Sequence, residues 1–285
     1  MKKLILPLGA WLLFASVALT LYLSSGHIFY LFNFLYIGTM LALGLYLFAL
    51  GYKHARRVTQ LGVGIYMLIG LGFLGRENMQ LAGFFYYLFL GVFQAAVIHY
   101  AVAKIGGPLI FGRGWCGYAC WTAMILDLLP FKVPTSHKRN IKLQYLRYLV
   151  FFITFIFVLL LFILEFEEKE KIMYISFIIG NILYYLVGIL MAYYFKDNRA
   201  FCKYFCPVTV FLKPFSYFSL LRINKTENLC IDCDKCVKVC PMDVKMTDNS
   251  RKREYGTECI ICGECIRSCP KQALQLTVDK VKNNR

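Results

Sequence analysis

Two cysteine runs follow one another near the end of the chain. Residues 230–241 read CIDCDKCVKVCP and residues 259–270 read CIICGECIRSCP, so each run is Cys-x2-Cys-x2-Cys-x3-Cys-Pro. Three closely spaced thiolates can hold three corners of one [4Fe–4S] cluster, and the fourth then reaches the neighbouring cluster. The pattern therefore predicts crossed ligation, with Cys230, Cys233, Cys236 and Cys269 around one cluster and Cys259, Cys262, Cys265 and Cys240 around the other.

The two runs also have an alternative interpretation, because Cys-x2-Cys pairs bind zinc in many structural sites. Two consecutive four-cysteine runs, closed by Pro241 and Pro270, favour clusters over zinc. Residues 226–278 resemble the compact two-cluster bacterial ferredoxin in the spacing, in the number of cysteines and in the distance between the runs. That resemblance implies a small α+β domain that transfers single electrons.

The composition of the whole chain points to a lipid environment. Of the 285 residues, 59% are hydrophobic and 17% are aromatic, and the mean hydropathy is +0.57. These values lie outside the range of soluble globular proteins and indicate a membrane protein. Eight of the twelve cysteines lie in the two runs, so we expect a reducing compartment for that part and no disulfide scaffold.

Six apolar runs have roughly the length of a membrane-spanning helix. The first follows Lys2 and Lys3 and is predicted to be a retained span, not a cleaved signal peptide. The third is short but extends backwards through Val58. The six predicted spans cover residues 4–23, 30–51, 61–75, 81–103, 145–164 and 172–195.

Positive charges are concentrated in alternate connections between these spans. The basic side holds residues 2–3, 53–57, 132–142 and 196–203. The other side holds only the turn at Arg76 and the glutamate-rich turn at 165–171. Basic loops remain in the cytoplasm, so both termini and the ferredoxin-like domain are predicted on the cytoplasmic side of the cell membrane. The net charge of +16 is thus a topology signal, and no nucleic-acid partner is expected.

The four remaining cysteines belong to an internal repeat. Residues 113–120 read RGWCGYAC and residues 199–206 read RAFCKYFC, so each copy is Arg-x-aromatic-Cys-x-Tyr-x-Cys. Each copy follows a span that runs towards the basic side. Because the two units have the same orientation, we expect a pseudo-twofold axis along the membrane normal that relates spans three and four to spans five and six.

Such an axis would bring four thiols together at the cytoplasmic membrane surface. Cysteines four positions apart share a face of a helix, so we expect each motif to present both sulfurs from one helix. Three interpretations are open: a metal or iron–sulfur site held by all four thiols, a redox-active thiol pair or substrate-metal site, and buried structural thiols. The residues concerned are Cys116, Cys120, Cys202 and Cys206.

The paired motifs and the C-terminal runs together resemble the membrane polyferredoxins, typified by the NapH-type quinol-dehydrogenase subunit of periplasmic nitrate reduction. The similarity covers about residues 56–276 and implies an electron-transfer subunit. Relatives in that family serve nitrous-oxide reductase maturation or, as copper reductases, haem–copper oxidase assembly. The chain departs from the family at Trp121, where proline is usual, so we expect the first motif's helix to continue through residues 122–129. The two leading spans are additional, so the family's partner is not carried over.

Polar residues in or near the apolar runs limit which cofactors the membrane part can hold. Of the four histidines only His99 lies inside a predicted span, and Cys-x2-Cys-His is absent, so no haem is expected. His99 is interpreted as a hydrogen-bonded interfacial histidine, the alternative being a quinone or metal ligand. Asp127 is expected to pair with a basic residue, the alternative being that it takes a proton from a quinol. Cations on the ferredoxin-like domain could dock an acidic carrier or simply be solvated. They are Lys225, Lys235, Lys238, Arg251, Lys252 and Arg253.

The sequence predicts an α-helical integral membrane protein of about six spans with a C-terminal α+β two-cluster domain. The predicted units are two leading spans (1–55), a four-span repeat with both Cys-x3-Cys motifs (56–221) and a cytoplasmic ferredoxin domain (222–285). The predicted function is electron transfer between a soluble cytoplasmic carrier and a membrane partner or the quinone pool. The alternative is a reductase or assembly factor for a metal such as copper, and a weaker alternative is a scaffold with structural clusters.

Overall fold

A computed structural model describes residues 2–93 and 95–278 of the chain. Met1, Gln94 and residues 279–285, which belong to the predicted units 1–55, 56–221 and 222–285, lie outside the described residues. The described part is mostly helical. Five helical runs in it are long and apolar enough to cross a membrane: Leu4–Ser25, Ile28–Ala49, Ala55–Leu74, Lys142–Ile163 and Lys169–Phe195.

The secondary structure falls into a long helical part and a short mixed part. The helices of the first part are α1 (Lys2–Ser25), α2 (Ile28–Ala49), α3 (Ala55–Ile65), α4 (Leu81–Phe89), α5 (Ala95–Tyr100), α6 (Gly107–Phe111), α7 (Gly114–Tyr118), α8 (Trp121–Leu126), α9 (Leu146–Ile163), α10 (Lys169–Phe195), α11 (Ala200–Tyr204) and α12 (Thr209–Tyr217). Wider π-helical stretches follow α3 at Tyr66–Leu74 and α5 at Ala101–Gly106. The second part contains β1 (Leu221–Lys225), α13 (Lys235–Lys238), α14 (Glu264–Ser268) and β2 (Leu274–Val278).

The long helices turn apolar side chains outwards, as lipid-facing helices do. Leu12 on α1, Phe32 on α2 and Leu190 on α10 are each at least 60% exposed. Such side chains would be costly in water but are stable in a hydrocarbon layer about 30 Å thick. The described helices are therefore compatible with a multi-pass membrane protein.

Helix α1 packs along α2 at very short range. A Cβ atom on Gly38 would lie 2.5 Å from the Cβ atom of Phe14, so only glycine allows this approach. Small residues at such crossings let two membrane helices gain close van der Waals contact. The two leading helices therefore form one packed pair.

The predicted fourth span, residues 81–103, is wrong as a single helix. Helix α4 ends at Phe89, and Gly91 then adopts a φ of +69° in a turn that precedes α5. Glycine tolerates this backbone conformation because it has no Cβ atom. The nine residues of α4 extend only about 13 Å, which is too short to cross the bilayer. The chain returns through the shorter apolar helical run Ala96–Phe111.

The segment that leads into α4 is non-helical and buried. Asn78 and Gln80 are 2% and 8% exposed. Asn78 Nδ2 donates to the carbonyl oxygen of Met173, 2.9 Å away, and to Ser176 Oγ, 3.1 Å away, both on α10. Non-helical backbone is tolerated at membrane depth only where the protein supplies such partners. A buried loop, α4 and a second helix therefore replace the predicted single span.

The C-terminal part forms a small α+β unit. Strands β1 and β2 pair antiparallel, with Leu221 opposite Val278 and Lys225 opposite Leu274. The two cysteine runs lie between these strands, and each run includes one short helix, α13 or α14. The sheet therefore closes the unit and holds the two runs together.

Candidate iron–sulfur centres

The first set of cysteines surrounds a cavity at the solvent side of the C-terminal unit. The cavity is lined by thiols from both runs, namely Cys230, Cys233, Cys236 and Cys269. Cys233 is exposed to solvent and the other three are half-buried. The structure thus brings together the four residues that the crossed pattern assigns to one cluster.

The second set surrounds a separate and more deeply buried cavity. Its lining thiols are Cys240, Cys259, Cys262 and Cys265. Burial, and then the neighbouring thiols Cys262 and Cys259, raise the pKa of Cys240 to about 12. A thiol in such a place ionises readily only when a metal ion stabilises the thiolate.

Backbone amides point at the fourth cysteine of each run. The N–H of Val244 donates to Cys240 Sγ, and the N–H of Ala273 donates to Cys269 Sγ. The distance from nitrogen to sulfur is 3.3 Å in each bond. In each case the donor lies four residues after the cysteine. Hydrogen bonds to the sulfurs are one of the means by which proteins stabilise anionic iron–sulfur clusters and set their potentials.

The donor sets fit a cluster with several iron atoms. Each cavity offers four soft thiolates, the ligands that iron–sulfur clusters require. Within residues 2–93 and 95–278 no three His, Cys, Asp or Glu side chains are arranged to hold a single metal ion. The four thiols that line each cavity would hold the iron atoms of a cubane.

The four remaining cysteines do not lie on continuous helices. Helix α7 ends at Tyr118, and Cys120 has extended backbone (φ −75°, ψ 118°) before α8 starts. Cys206 likewise follows the end of α11, which contains Cys202. The expected helix through residues 122–129 with both sulfurs on one face is therefore wrong. Trp121 begins a new helix, and its Nε1 donates to Asn181 Oδ1, 2.9 Å away on α10.

The four thiols nevertheless lie close to one another. Cys206 is within electrostatic range of Cys202, Cys116 and Cys120. Burial, and then these neighbouring thiols, raise the pKa of Cys206 to about 12, and burial raises that of Cys202 to about 11. We refer to Cys116, Cys120, Cys202 and Cys206 as the four-cysteine site.

Two arginines occupy equivalent positions beside the four-cysteine site. Arg113 directly precedes α7, and its Nη2 lies 4.0 Å from Cys116 Sγ. Arg199 directly precedes α11, and its Nη1 lies 3.9 Å from Cys202 Sγ. Both guanidinium groups are 1% exposed. Each therefore donates a weak, charge-assisted hydrogen bond that favours an anionic sulfur.

The ferredoxin-like unit rests directly on the first motif. Tyr118 Oη donates to the carbonyl oxygen of Ile261 over 3.2 Å. Gly117 faces the carbonyl oxygen of Ile260 so closely that a Cβ atom would overlap it. Ile260 and Ile261 lie between Cys259 and Cys262, so the loop that supplies two thiols of the second set contacts α7, the helix that contains Cys116.

Asp127 joins two arginines at this contact. Its Oδ2 lies 2.5 Å from Arg56 Nη1 and 2.5 Å from Arg199 Nη2. Burial favours the neutral acid, but the two guanidinium groups overcome it and lower the pKa of Asp127. The prediction that Asp127 pairs with a basic residue is confirmed.

Glu258 is the centre of an ion cluster that the sequence did not reveal. Its side chain is fully buried and accepts from Arg139 at 2.7 Å and from Arg147 at 3.0 Å. Lys213 and Arg113 lie 3.4 Å and 3.5 Å away. Although burial opposes ionisation, these cations lower the pKa of Glu258 to about 2. The only sequence signal for it is the surplus of basic residues, which is interpreted above mainly as a topology signal.

Asp243 makes a second link between the two parts of the chain. It accepts from Lys203 of α11 at 2.7 Å and from Arg139 at 2.9 Å, and it lies 3.0 Å from His137 Nδ1. Lys203 also pairs with Asp197 over 2.8 Å. The second motif is therefore tied to the ferredoxin-like unit by charge, whereas the first is tied both by its contact with Ile260 and Ile261 and by the Arg113–Glu258 ion pair.

The predictions for His99 and for the docking cations of the ferredoxin-like unit agree only in part with the structure. Within the described residues, His99 Nε2 is buried without a hydrogen-bond partner, so the predicted hydrogen-bonded interfacial histidine is wrong at that atom. Arg253 is buried and donates to the carbonyl oxygen of Ile223, which removes it from the predicted docking surface. Lys235, Lys238 and Lys252 are exposed.

Family models match both parts of the chain. Residues 222–282 match the model of a 4Fe-4S dicluster domain. The model of a 4Fe-4S binding domain matches residues 95–134 and 179–226, and each of these segments contains one Cys-x3-Cys motif. This is a ferredoxin-like iron–sulfur protein. The prediction of an iron–sulfur, electron-transport protein is confirmed at that level.

Two relatives come from the same archaeon, Methanocaldococcus jannaschii. The uncharacterized protein MJ0750 is 29% identical over 206 residues, which cover 63% of this chain and 86% of the relative. The uncharacterized protein MJ0749 is 28% identical over 209 residues, which cover 70% of this chain and 78% of the relative. No solved structure matches the chain.

Proposed function

We propose that this protein carries electrons between a soluble cytoplasmic carrier and a partner in the membrane, or the quinone pool. The [4Fe–4S] clusters would supply one-electron oxidation and reduction when bound. The ferredoxin-like unit would receive or deliver electrons at the solvent side, where Cys233 is exposed. The buried second set of thiols and then the four-cysteine site would lead towards the membrane.

One observation carries this proposal. The loop between Cys259 and Cys262 lies against Gly117 and Tyr118 of the first motif. Electron transfer depends steeply on distance, so a direct contact between two ligand loops is what a relay requires. The ion pairs of Glu258 and Asp243 hold this contact from both sides.

The four-cysteine site is proposed to hold a third iron–sulfur cluster. Its four soft thiolates suit such a cluster, and Arg113 and Arg199 would offset the negative charge. The matches of a 4Fe-4S binding domain to the two segments around these cysteines support the same assignment. A pseudo-twofold axis between the two motifs and the NapH-type affiliation are part of this proposal.

The proposed location is the cell membrane, with both termini and the ferredoxin-like unit in the cytoplasm. The basic connection 53–57 and the motif loops lie beside that unit. Positively charged loops remain on the cytoplasmic side. A quinone or a membrane protein would exchange electrons with the four-cysteine site from within the bilayer.

The decisive experiment measures iron and acid-labile sulfide per chain after anaerobic purification. Wild type is compared with a variant in which Cys116, Cys120, Cys202 and Cys206 are changed to serine. We expect about 12 iron atoms in wild type and about 8 in the variant, because each cubane contains four. The variant should retain the electron paramagnetic resonance (EPR) signals of the two ferredoxin-like clusters.

A second variant serves as the matched control. Changing Cys230, Cys233 and Cys236 to serine should also remove about 4 iron atoms, but with a different loss in the EPR spectrum. If wild type and the first variant both contain about 8 iron atoms, the third cluster is excluded. Thiol chemistry or transient reduction of a metal such as copper would then replace the proposed relay.

A further inference from the structure

A large cleft lies between the ferredoxin-like unit and the membrane part, in addition to the direct contact of the two parts at Gly117 and Tyr118. Its volume is about 650 Å³, which is within the range of small-molecule sites. It is lined by residues from the connection between α2 and α3, from the start of α3, from the loops after α8 and α10 and from both C-terminal cysteine runs. The charged lining residues are Lys53, Arg56, Arg57, Asp127, Lys132, Arg199, Glu264 and Arg267.

The cleft has a strong surplus of positive charge. Six cationic side chains face two carboxylates, a net charge of +4 with His54 neutral. Both carboxylates are already engaged, since Asp127 pairs with Arg56 and Arg199 and Glu264 pairs with Arg267 at 2.5 Å.

Three cations of the cleft have no acidic partner in the described part of the chain. They are Lys53, Arg57 and Lys132, none of which has an ion pair with a described carboxylate. Arg199, which is 1% exposed, also has a buried Nε donor without a hydrogen-bond partner among the described residues. Like charges held together in this way repel each other, so an anion in the cleft would stabilise the arrangement.

The cleft lies beside the thiols of the second set, so a bound anion would be close to the second cluster. Cys262, a thiol of the second set, lines it, and so does Pro241, which follows Cys240. Lys53 lies in the connection between two candidate membrane spans, and Arg57 lies in the first turn of the second of these spans, so the cleft is expected at the level of lipid headgroups.

We propose that this cleft binds the phosphate group of a phosphate ester. The guanidinium group of an arginine can donate to two oxygens of one phosphate, and the ammonium group of a lysine adds a compact positive charge. Both residue types line the cleft. The volume is much larger than a single ion needs, so the phosphate belongs to a larger molecule: an anionic phospholipid headgroup or a soluble phosphate ester. A bound anion beside Cys262 disfavours the addition of an electron and lowers the potential of the second cluster. Binding is independent of the proposed electron path, whereas the change in potential rests on it.

The test uses the full-length protein with its clusters in nanodiscs of zwitterionic phosphatidylcholine. ADP is titrated as the soluble probe, and phosphatidylglycerol is incorporated as the lipid probe. Binding is measured by calorimetry for ADP and by retained lipid in native mass spectrometry for phosphatidylglycerol. The midpoint potential of the second cluster is followed by EPR with each probe.

The test variant is Arg57→Gln with Lys132→Gln, and the charge-matched control is Lys169→Gln with Lys171→Gln at the start of α10. We expect one probe to bind with a stoichiometry of one, the test variant to bind it at least about 10-fold more weakly, and the control to match wild type. Binding of ADP identifies a soluble ester, and binding of phosphatidylglycerol alone identifies a lipid headgroup.

Iron content verifies that each variant is folded, and Lys53→Gln with His54→Gln replaces the test variant if that one loses iron. Absence of binding by both probes would overturn the proposal. Equal affinity in the test and control variants would do so as well, because the cleft cations would then not form the site. Binding without a shift in potential would leave the site in place and contradict only its link to the cluster.

Discussion

Glu258 is a buried carboxylate that pairs with basic residues from separate parts of the chain. It lies among Arg139, Arg147, Lys213 and Arg113, which come from four different segments of the chain. Removing one partner of a buried ion cluster leaves uncompensated charge, which typically costs about 3–5 kcal/mol. We expect Glu258→Gln to lower the free energy of unfolding by about that amount and to release iron at a lower temperature.

The loss is measured by thermal unfolding, followed through the visible absorbance of the clusters. Glu254→Gln is the matched control, since Glu254 lies four residues earlier and is exposed. Equal unfolding temperatures for the two variants would contradict a structural role of the ion cluster.

Glu77, in the segment that follows the third candidate span, gives a prediction about the pH dependence of stability. Burial raises its pKa to about 7 from an ordinary value near 4.5. Between these values the folded protein holds a proton that the unfolded chain has lost, so stability is greatest below about pH 4.5 and falls by up to about 3 kcal/mol as the pH rises to 7. We expect Glu77→Gln to remove this fall.

Unfolding temperatures in one detergent across this pH range would check the effect. Glu167→Gln, a change at an exposed glutamate, should retain the wild-type pH dependence. If Glu77→Gln shows the same slope as wild type, another group accounts for it.

At the scale of elements, the two short helices α7 and α11 set the position of the four-cysteine site. Each has five residues, follows an arginine and contains one cysteine, and a second cysteine lies just beyond its end. The sequence repeat indicated this equivalence, but the helix breaks at Tyr118 and Tyr204 depend on contacts with other elements. Trp121, for example, is held by Asn181 of α10.

Gly117 tests the contact between α7 and the loop after Cys259. In Gly117→Ala the new Cβ atom would overlap the carbonyl oxygen of Ile260, and neither backbone can yield without moving its ligand loop. We expect the variant to lose about 1–3 kcal/mol of stability, as overpacked contacts do. Limited proteolysis should then release the ferredoxin-like unit sooner than in wild type.

Gly9→Ala is the control, because a Cβ atom there meets nothing within 4 Å. Resistance of Gly117→Ala to proteolysis at the wild-type level would show that the loop does not depend on this close approach.

At the scale of the whole molecule, the broken fourth span leaves the overall direction of the chain unchanged. Helix α4 is short, but the run Ala96–Phe111 leads to the motif loop that contacts the ferredoxin-like unit. The connections at 53–57 and 127–141 lie on this same side, since Arg56 and Arg139 pair with Asp127 and Glu258.

Reporter fusions test the predicted sidedness. We expect a fluorescent protein at the C-terminus to mature in the cytoplasm, and alkaline phosphatase fused after residue 167 to be active outside it. A phosphatase fusion after residue 138 is the inside control and should be inactive. Phosphatase activity at residue 138 with none at residue 167 would reverse the proposed orientation.

Features that depend on a local pattern of residues could be predicted from the amino-acid sequence. The ligand grouping of the two cysteine runs follows from spacing along a few residues, and the spans follow from the length of apolar runs. The structure gathers the same two groups of four thiols around separate cavities.

The contacts between the ferredoxin-like unit and the helical part could not be predicted from the sequence. Tyr118 and Ile261 are separated by 143 positions, and Arg147 and Glu258 by 111, yet each pair is in contact. No local pattern encodes such pairs, because a buried charge selects its partners from whatever the packing brings near it. Contacts between distant segments likewise account for three further features. They are the position of the ferredoxin-like unit against α7, the basic cleft beside Cys262 and the break after α4.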